Sequence, residues 1–229
     1  MTKAVRGMIH KPLELVEDNF KKPTGFAGRL IGHLMTVQHR TLTDWTIERM
    51  GIGATDEILD VGCGSGMAVE LMAARARRGT VTGLDYSPEM VTLATRRNRA
   101  AVRAGRVRVL RGDAMALPFP DASFDHVSAI ETFYFWPDAM NGLAQAHRVL
   151  RPGGQMVVTL EMSREASGTP SLVQRYFGRR FTERSAREGL RIVSGADLTG
   201  MLTRAGFRDA AFIAEPTRSL GWVCATARK

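Results

Sequence analysis

Cysteine is scarce in this sequence, and long apolar runs are missing. Cys63 and Cys224 are the two cysteines among 229 residues, and neither belongs to a CxxC pair or to a spacing typical of metal ligands. We therefore expect two reduced, non-catalytic thiols and no bound metal. No apolar run approaches the length that spans a bilayer, and residues 1–22 have no apolar core of the signal-peptide type. The sequence thus favours a cytoplasmic protein without a membrane span.

Positive charge is in excess. The chain has 32 Lys and Arg against 23 Asp and Glu, which gives a net charge of +9. A basic surface can attract nucleic acid or acidic substrates. No recognised RNA-binding module is appended, however, and Arg is common on solvated helix faces. Nucleic acid is therefore the least favoured partner, and 44% hydrophobic residues fit an ordinary globular domain.

A glycine-rich stretch is the most informative feature that the sequence does have. Residues 60–66 read Asp-Val-Gly-Cys-Gly-Ser-Gly and follow the short run 57–59, which is typical of a buried strand. Alternate glycines let the backbone turn sharply and approach a ligand closely. Such a turn between a strand and a helix forms a nucleotide-type site at the carboxyl end of a sheet. The dinucleotide pattern G-x-G-x-x-G is absent, because its third position is Met67 or Val69, so a nicotinamide oxidoreductase is disfavoured.

Apolar runs alternate with helical patterns from residue 57 onward. This alternation predicts parallel βαβ units, and a turn at Pro216 predicts that the last two strands form an antiparallel hairpin. The predicted fold is α/β, a Rossmann-like doubly wound sheet of seven strands with a terminal antiparallel hairpin. The predicted strands are 57–61, 80–84, 106–110, 125–130, 154–161, 207–214 and 219–227. The predicted helices are 66–77, 88–104, 138–150 and 195–205.

Two segments lie outside this predicted core. An amphipathic stretch at 25–50 predicts an N-terminal helical cap, so we divide the chain into a cap at 1–50 and a main domain at 51–229. Residues 163–194 form an insertion with seven Arg against three Glu. We expect it near the carboxyl ends of the strands, where ligands bind in such sheets. It is either a basic lid over a substrate or a solvated helix face.

The spacing D-x-G-x-G-x-G resembles the first motif of class I S-adenosylmethionine (SAM)-dependent methyltransferases. The segments 117–125 and 148–154 resemble hallmarks of the ubiquinone-biosynthesis-like branch of that family, which acts on small molecules. Together with Asp85 and Asp113 they make five matching segments in order over about residues 57–161. The resemblance implies an enzyme that uses SAM as its cofactor.

The resemblance also implies which residues hold the cofactor. Asp85 stands about 20 residues past the glycines, where a carboxylate can accept hydrogen bonds from both ribose hydroxyls. Asp113 would accept from the adenine amine, and the Ala114 N–H would donate to the ring. Ser87 before Pro88 predicts the start of a helix. The expected cofactor-binding residues are Asp60, Gly62, Cys63, Gly64, Gly66, Asp85, Tyr86, Met90, Asp113, Ala114 and Glu131.

Candidate catalytic and substrate residues follow the fourth predicted strand. Methyl transfer is an in-line displacement, and a hydroxyl or ammonium acceptor also needs a base. Glu131 is expected either to hold the amino group of the cofactor or to act as that base. Tyr134 and Trp136 are expected to line the substrate pocket. Core packing is the expectation for Phe133 and Phe135. The predicted catalytic residues are His39, Glu131 and Tyr134, and the predicted substrate-binding residues are Tyr134, Trp136 and Arg179.

Several acceptors stay open at this point. A small organic molecule, in secondary metabolism, is the leading prediction. A peptide or protein carboxylate is the alternative, because Arg side chains bind carboxylates well. The Asn/Asp-Pro-Pro-Tyr sequence that amino methyltransferases carry after this strand is absent, which counts against methylation of a base amine. An RNA substrate and a non-catalytic SAM-binding protein are less favoured.

Overall fold

Seven strands form one sheet in the computed structural model, which describes residues 40–167 and 192–229. Their order across the sheet is third, second, first, fourth, fifth, seventh, sixth. The first five strands are parallel, and the seventh pairs antiparallel with both the fifth and the sixth. This arrangement confirms the predicted doubly wound sheet with its terminal hairpin. The strands are β1 (Glu57–Val61), β2 (Thr80–Asp85), β3 (Val107–Arg111), β4 (Phe124–Ile130), β5 (Leu150–Leu160), β6 (Arg208–Glu215) and β7 (Trp222–Arg228).

Helices cover both faces of the sheet because alternate residues of each buried strand point to opposite sides. On one face, Leu143 and Leu198 pack with Val127 of the sheet, and on the other Ile47 and Met72 pack in a second cluster. None of the helices in the described ranges is both long enough and apolar enough to cross a membrane. The helices are α1 (40–50), α2 (Met67–Arg75), α3 (Pro88–Arg97), α4 (Arg99–Arg103), α5 (Ala139–Val149) and α6 (Gly195–Arg204).

Two elements differ most from the prediction. The helix predicted at 88–104 is broken at Asn98, whose buried side chain turns back to bond the carbonyl of Ala94 at 2.9 Å. The fifth strand begins at Leu150 rather than at 154, because Leu150 already pairs with Phe124 of β4. The predicted start of α3 is confirmed, since the Ser87 hydroxyl accepts from an N–H of its first turn.

The predicted cap and insertion lie mostly outside the described residues. The chain divides into two units, Met1–Leu42 and Thr43–Lys229, and the sheet belongs to the second. Of the predicted cap only 40–50 is described, and it is helical. Of the insertion, 168–191 is outside the described ranges. The domain boundary at residue 50 and the role of the insertion therefore stay predictions.

Candidate active site

The glycine-rich loop follows β1 at the carboxyl edge of the parallel strands. Gly62, Gly64 and Gly66 have left-handed backbone angles, with φ of 76°, 52° and 79°. A Cβ at Gly62 would lie 2.0 Å from Oγ1 of Thr132, and a Cβ at Gly66 would lie 2.7 Å from the Cβ of Ala94. A Cβ at Gly64 would meet no atom of the chain within 4 Å, counting described neighbours. Packing therefore requires Gly62 and Gly66, whereas Gly64 borders open space.

Hydrogen bonds fix this loop to the neighbouring elements. The backbone N–H groups of Gly62 and Cys63 donate to the Leu84 carbonyl at 2.7 and 3.0 Å. The Asn98 amide donates to the Gly66 carbonyl at 3.0 Å. Sequence reasoning missed Asn98, although an Asn inside a predicted helix, where its propensity is low, is a usable signal. The loop is thus held in place by the protein itself.

Asp85 lies where the spacing predicted a carboxylate, at the end of β2. Its Oδ2 accepts from the Gly64 N–H at 2.8 Å, and its Oδ1 accepts from the Ser87 N–H at 2.9 Å. A carboxylate offers about four acceptor positions, so both oxygens keep lone pairs for further donors. One side chain therefore joins the glycine loop to the start of α3 and can still accept from a pair of ribose hydroxyls.

Asp60 is buried beneath the loop, with 2% of its surface exposed. The Ser128 hydroxyl donates to its Oδ1 at 2.7 Å. Burial raises the pKa of Asp60 to about 6, against the lowering effect of the Ser128 bond, and the negative charge of Asp85 adds to the rise. Buried carboxylates with a displaced pKa cluster at functional sites. A cation bound above the loop would favour the ionised form of Asp60.

Tyr86 and Met90 flank the open side of the loop. Tyr86 is 72% exposed, and the Arg111 guanidinium lies 5.8 Å from its ring centroid. Met90 is half-buried in the first turn of α3. An exposed aromatic ring next to a site is available to stack on a planar ligand. Contact of both residues with adenine stays a prediction.

Asp113 and Ala114 follow β3 next to Asp85. The Gly112 N–H donates to the Asp85 carbonyl at 3.0 Å, which brings the two strand ends together. Oδ1 of Asp113 accepts from the Met115 N–H at 2.9 Å, and the residue is exposed. This Asx-type turn leaves acceptor capacity on the carboxylate. The predicted adenine contacts of Asp113 and Ala114 are compatible with this geometry and stay predictions.

Glu131 directly follows β4 and has a left-handed backbone, with φ of 58°. This conformation costs an L-residue about 1–2 kcal/mol, and such strain is concentrated at functional sites. Its N–H donates to the Thr159 carbonyl at 2.9 Å, and its Oε1 accepts from the N–H of Glu161. Glu161, at the end of β5, was not predicted as a site residue. Two carboxylates thus stand at the ends of adjacent strands.

The aromatic segment after Glu131 packs differently from its prediction. Phe133–Phe135 form a 3₁₀ turn after β4. With three residues per turn, Phe133 and Trp136 fall on one side, and their ring centroids are 5.2 Å apart. Core packing is confirmed for Phe133, which is 4% exposed, and is wrong for Phe135, which is 53% exposed.

Tyr134 and Trp136 are both buried. The Tyr134 hydroxyl donates to the Met162 carbonyl at 2.9 Å and accepts from the Met162 N–H at 2.8 Å. Burial raises the pKa of Tyr134 well above its usual value, and the charge of Glu131 adds to this. Trp136 packs closely on α5, where a Cβ at Gly142 would lie 2.4 Å from the indole. These contacts favour structural roles, so catalysis by Tyr134 and substrate contact by either residue stay predictions.

Three further candidates complete the predicted set. Cys63 is 7% exposed, and burial raises the pKa of its thiol, so it is a neutral packing group within the loop. Its contact with a cofactor stays a prediction. His39 and Arg179 lie outside the described residues.

The described residues fit a nucleoside sulfonium. The open space at Gly64 admits close approach of a ligand, Asp85 and Asp113 supply acceptors for hydroxyl and amine donors, and buried Asp60 favours positive charge above it. The fold and this site define a Rossmann-like nucleoside-binding protein, in which a ligand would lie across the carboxyl ends of the strands.

Comparison with known proteins gives the family. The model of the methyltransferase domain matches residues 59–158. The uncharacterized methyltransferase YdaC of Bacillus subtilis is 32% identical over 200 residues, which are 87% of this chain and 98% of that protein. The demethylmenaquinone methyltransferase of Thermus thermophilus is 37% identical over 62% of this chain and 61% of its own length. The solved structure of the 4+2 cyclase SpnF shares a TM-score of 0.66 at 26% identity and covers 82% of this chain and 80% of that chain.

This chain belongs to the class I SAM-dependent methyltransferases and is an enzyme of that class with SAM as its cofactor. The likeness to a demethylmenaquinone methyltransferase is consistent with the ubiquinone-biosynthesis-like branch. Because the same fold also occurs in a protein named as a cyclase, the acceptor has to be argued from the site.

Proposed function

We propose that this enzyme transfers the methyl group of SAM to an oxygen, nitrogen or carbon nucleophile of a small organic molecule in secondary metabolism. The observation that carries the proposal is the convergence of the glycine loop, Asp85 and Glu131 at one edge of the sheet. The likeness to a methyltransferase named for demethylmenaquinone, a small molecule, supports the acceptor class.

The chemistry divides between cofactor and chain. When bound, SAM supplies an electrophilic methyl group on a positively charged sulfur. The part of the chain itself would be to bind and orient the reactants for an in-line displacement and to exclude water. A hydroxyl or ammonium acceptor must also lose a proton. Glu131, which follows β4, would either take that proton or hold the amino group of the cofactor.

A peptide or protein carboxylate is the second candidate acceptor. The observation that favours it is the Arg content of 163–194, which includes Arg179. His39 keeps its predicted role as a base in either case. RNA methylation and cofactor binding without transfer are outcomes that the following experiment distinguishes.

The test of the acceptor class is label transfer. The protein is incubated with methyl-labelled SAM and an extract of its source cells, and the products are separated into organic-soluble metabolites, peptides and proteins, and nucleic acids. Label among the metabolites is the expected result. Label in peptides or RNA would overturn the acceptor class, and SAM binding without label in any fraction would point to a non-catalytic protein.

Glu131→Gln tests the role of the strand-end carboxylate. We expect kcat to fall more than about tenfold, with the affinity for SAM changed less than about threefold, if the carboxylate accepts the acceptor's proton. A loss confined to SAM affinity would assign Glu131 to the cofactor instead. Asp121→Gln is the matched control, because Asp121 is a surface carboxylate whose side chain is 75% exposed.

A further inference from the structure

Three N–H groups are buried together next to the site without a hydrogen-bond acceptor. They are Nε1 of Trp45, Nε of Arg49 and Nε1 of Trp222, and none has a partner within the described part of the chain. Trp222 as a whole is 5% exposed. More than nine in ten buried polar groups in proteins are paired, because an unpaired buried donor loses its hydrogen bond to water without a replacement. Three such donors in one cluster therefore call for an acceptor from outside the described residues.

The donors belong to one cluster of rings and guanidinium groups. Trp45 and Arg49 are four residues apart on α1 and so share a side of the helix, with the Arg49 guanidinium carbon 4.1 Å from the Trp45 ring centroid. The Trp45 and Trp222 centroids are 5.7 Å apart. The Arg218 guanidinium lies 5.2 Å from the Trp222 centroid. All four side chains thus meet at the start of β7.

This cluster lies close to Glu131. The hydroxyl of Thr46, next to Trp45, donates to the hydroxyl of Thr159 at 3.0 Å. The carbonyl of the same Thr159 accepts from the Glu131 N–H at 2.9 Å. Trp222 begins β7, which runs antiparallel beside β5, so it lies next to the end of β5. Thr159 therefore bonds both to Glu131 and to α1, the helix that carries the unpaired donors of Trp45 and Arg49.

The charges in the cluster favour an anion over a neutral acceptor. Within 40–167 and 192–229, neither Arg49 nor Arg218 forms an ion pair with a carboxylate, and both stack on indole rings instead. Indole N–H groups donate only, and guanidinium groups donate only. A carboxylate has enough acceptor positions for three donors, and its negative charge would neutralise a guanidinium charge.

We propose that Trp45, Arg49 and Trp222 form a subsite that binds an oxyanion, a carboxylate or phenolate, of the methyl acceptor. The proposal rests on the proposed function, because it assigns the subsite to the acceptor of that reaction. It adds a substrate class: an acidic small molecule whose anionic end is held by α1 and β7 while its nucleophile faces Glu131.

Benzoate is the probe for the test, with benzamide as its neutral counterpart. Trp45 and Trp222 are two of the three tryptophans, so intrinsic fluorescence reports on the subsite. The folded full chain is titrated with each probe in the presence of S-adenosylhomocysteine, and SAM binding is measured separately by calorimetry. We expect saturable binding of benzoate and at least about tenfold weaker binding of benzamide.

The variants remove the donors one at a time. Arg49→Met keeps the aliphatic stem and should weaken benzoate binding roughly tenfold or more, and Trp222→Phe, which keeps a ring but lacks the N–H, should weaken it by several-fold. Arg49 donates from Nη1 to the Trp45 carbonyl at 2.5 Å. Arg75→Met is the matched control, since Arg75 donates in the same way to the Leu71 carbonyl at 3.2 Å and stacks on no indole ring of the described residues. All three variants should bind SAM with unchanged affinity and show the circular dichroism of the wild type.

Each failure has its own meaning. Wild-type protein that binds SAM but not benzoate, equal affinities for benzoate and benzamide, or an Arg49→Met variant that binds benzoate as the wild type does would each overturn the subsite. Wild-type protein that does not bind SAM would contradict the proposed function, and the benzoate titration without cofactor would then still decide the subsite.

Discussion

Replacing Asp60 with Asn should stabilise the folded chain above about pH 6, and the gain should shrink as the pH falls from 6 and be almost lost below 3.8. Asn keeps an oxygen that can accept from the Ser128 hydroxyl but carries no charge that burial penalises. The pKa of Asp60 rises from 3.8 to about 6 on folding, so the native state holds this proton more tightly than the unfolded chain. The proton therefore contributes stability that is fully present below pH 3.8 and is lost as the pH rises through about 6.

The magnitude follows from the displaced pKa. A rise of about two pKa units at ~1.36 kcal/mol each makes the folded state about 3 kcal/mol less favourable at pH 8 than it would be with a neutral side chain. Roughly half of that difference should already be present at pH 5, since the unfolded carboxyl is then mostly ionised. Such a figure is a large fraction of the stability of an ordinary domain.

Urea unfolding of Asp60→Asn and of the wild type at pH 5, 6, 7 and 8 measures this difference. Asp121→Asn, at an exposed carboxylate, should show no comparable growth with pH. A variant less stable than the wild type at every pH would refute the reasoning, because it would show that the ionised carboxylate is stabilised by the fold. A variant that is more stable but binds SAM more weakly would show that the Asp60 carboxylate destabilises the fold and contributes to cofactor binding.

The remaining predictions concern the loop. Asp85→Ala should weaken SAM binding by ~1.5–3 kcal/mol, the worth of a hydrogen bond to a charged group, and an unchanged affinity in calorimetry would remove Asp85 from the site. Gly64→Ala should cost only the backbone strain of about 1–2 kcal/mol in unfolding experiments while it blocks SAM binding. Gly62→Ala should destabilise the fold more, since its Cβ would also collide with Thr132, and equal losses for the two variants would contradict the open space at Gly64.

The sequence predicted those parts of the site that local spacing encodes. The glycine loop and Asp85 depend on a strand, a turn and a second strand in immediate succession, and both lie where they were expected. The break at Asn98 was not predicted: the low helix propensity of Asn is a weak local signal, and of the two bonds its amide makes, the one to Gly66 joins residues 32 apart in sequence. A contact between residues so far apart produces no periodic pattern in a single amino-acid sequence.

The aromatic residues after β4 show a second limit of pattern reading. Core packing was expected for Phe133 and Phe135 alike, and that expectation gave the wrong burial for Phe135. The 3₁₀ turn, with its repeat of three residues, places Phe133 beside Trp136 and leaves Phe135 exposed. The cluster of Trp45 and Trp222 is equally invisible in the sequence, since it joins residues from opposite ends of the described core.

The two buried thiols provide built-in reporters of motion. Thiol reagents attack the thiolate, and burial suppresses that form at both Cys63 and Cys224. Cys63 lies in the glycine loop, whereas Cys224 is 1% exposed in a strand with a neighbour on each side. Labelling of Cys63 therefore counts openings of the loop, and labelling of Cys224 counts openings of the whole sheet. The ratio of the two labelling rates, measured with and without a bound nucleoside, would show how far ligand binding reduces opening of the loop relative to opening of the sheet.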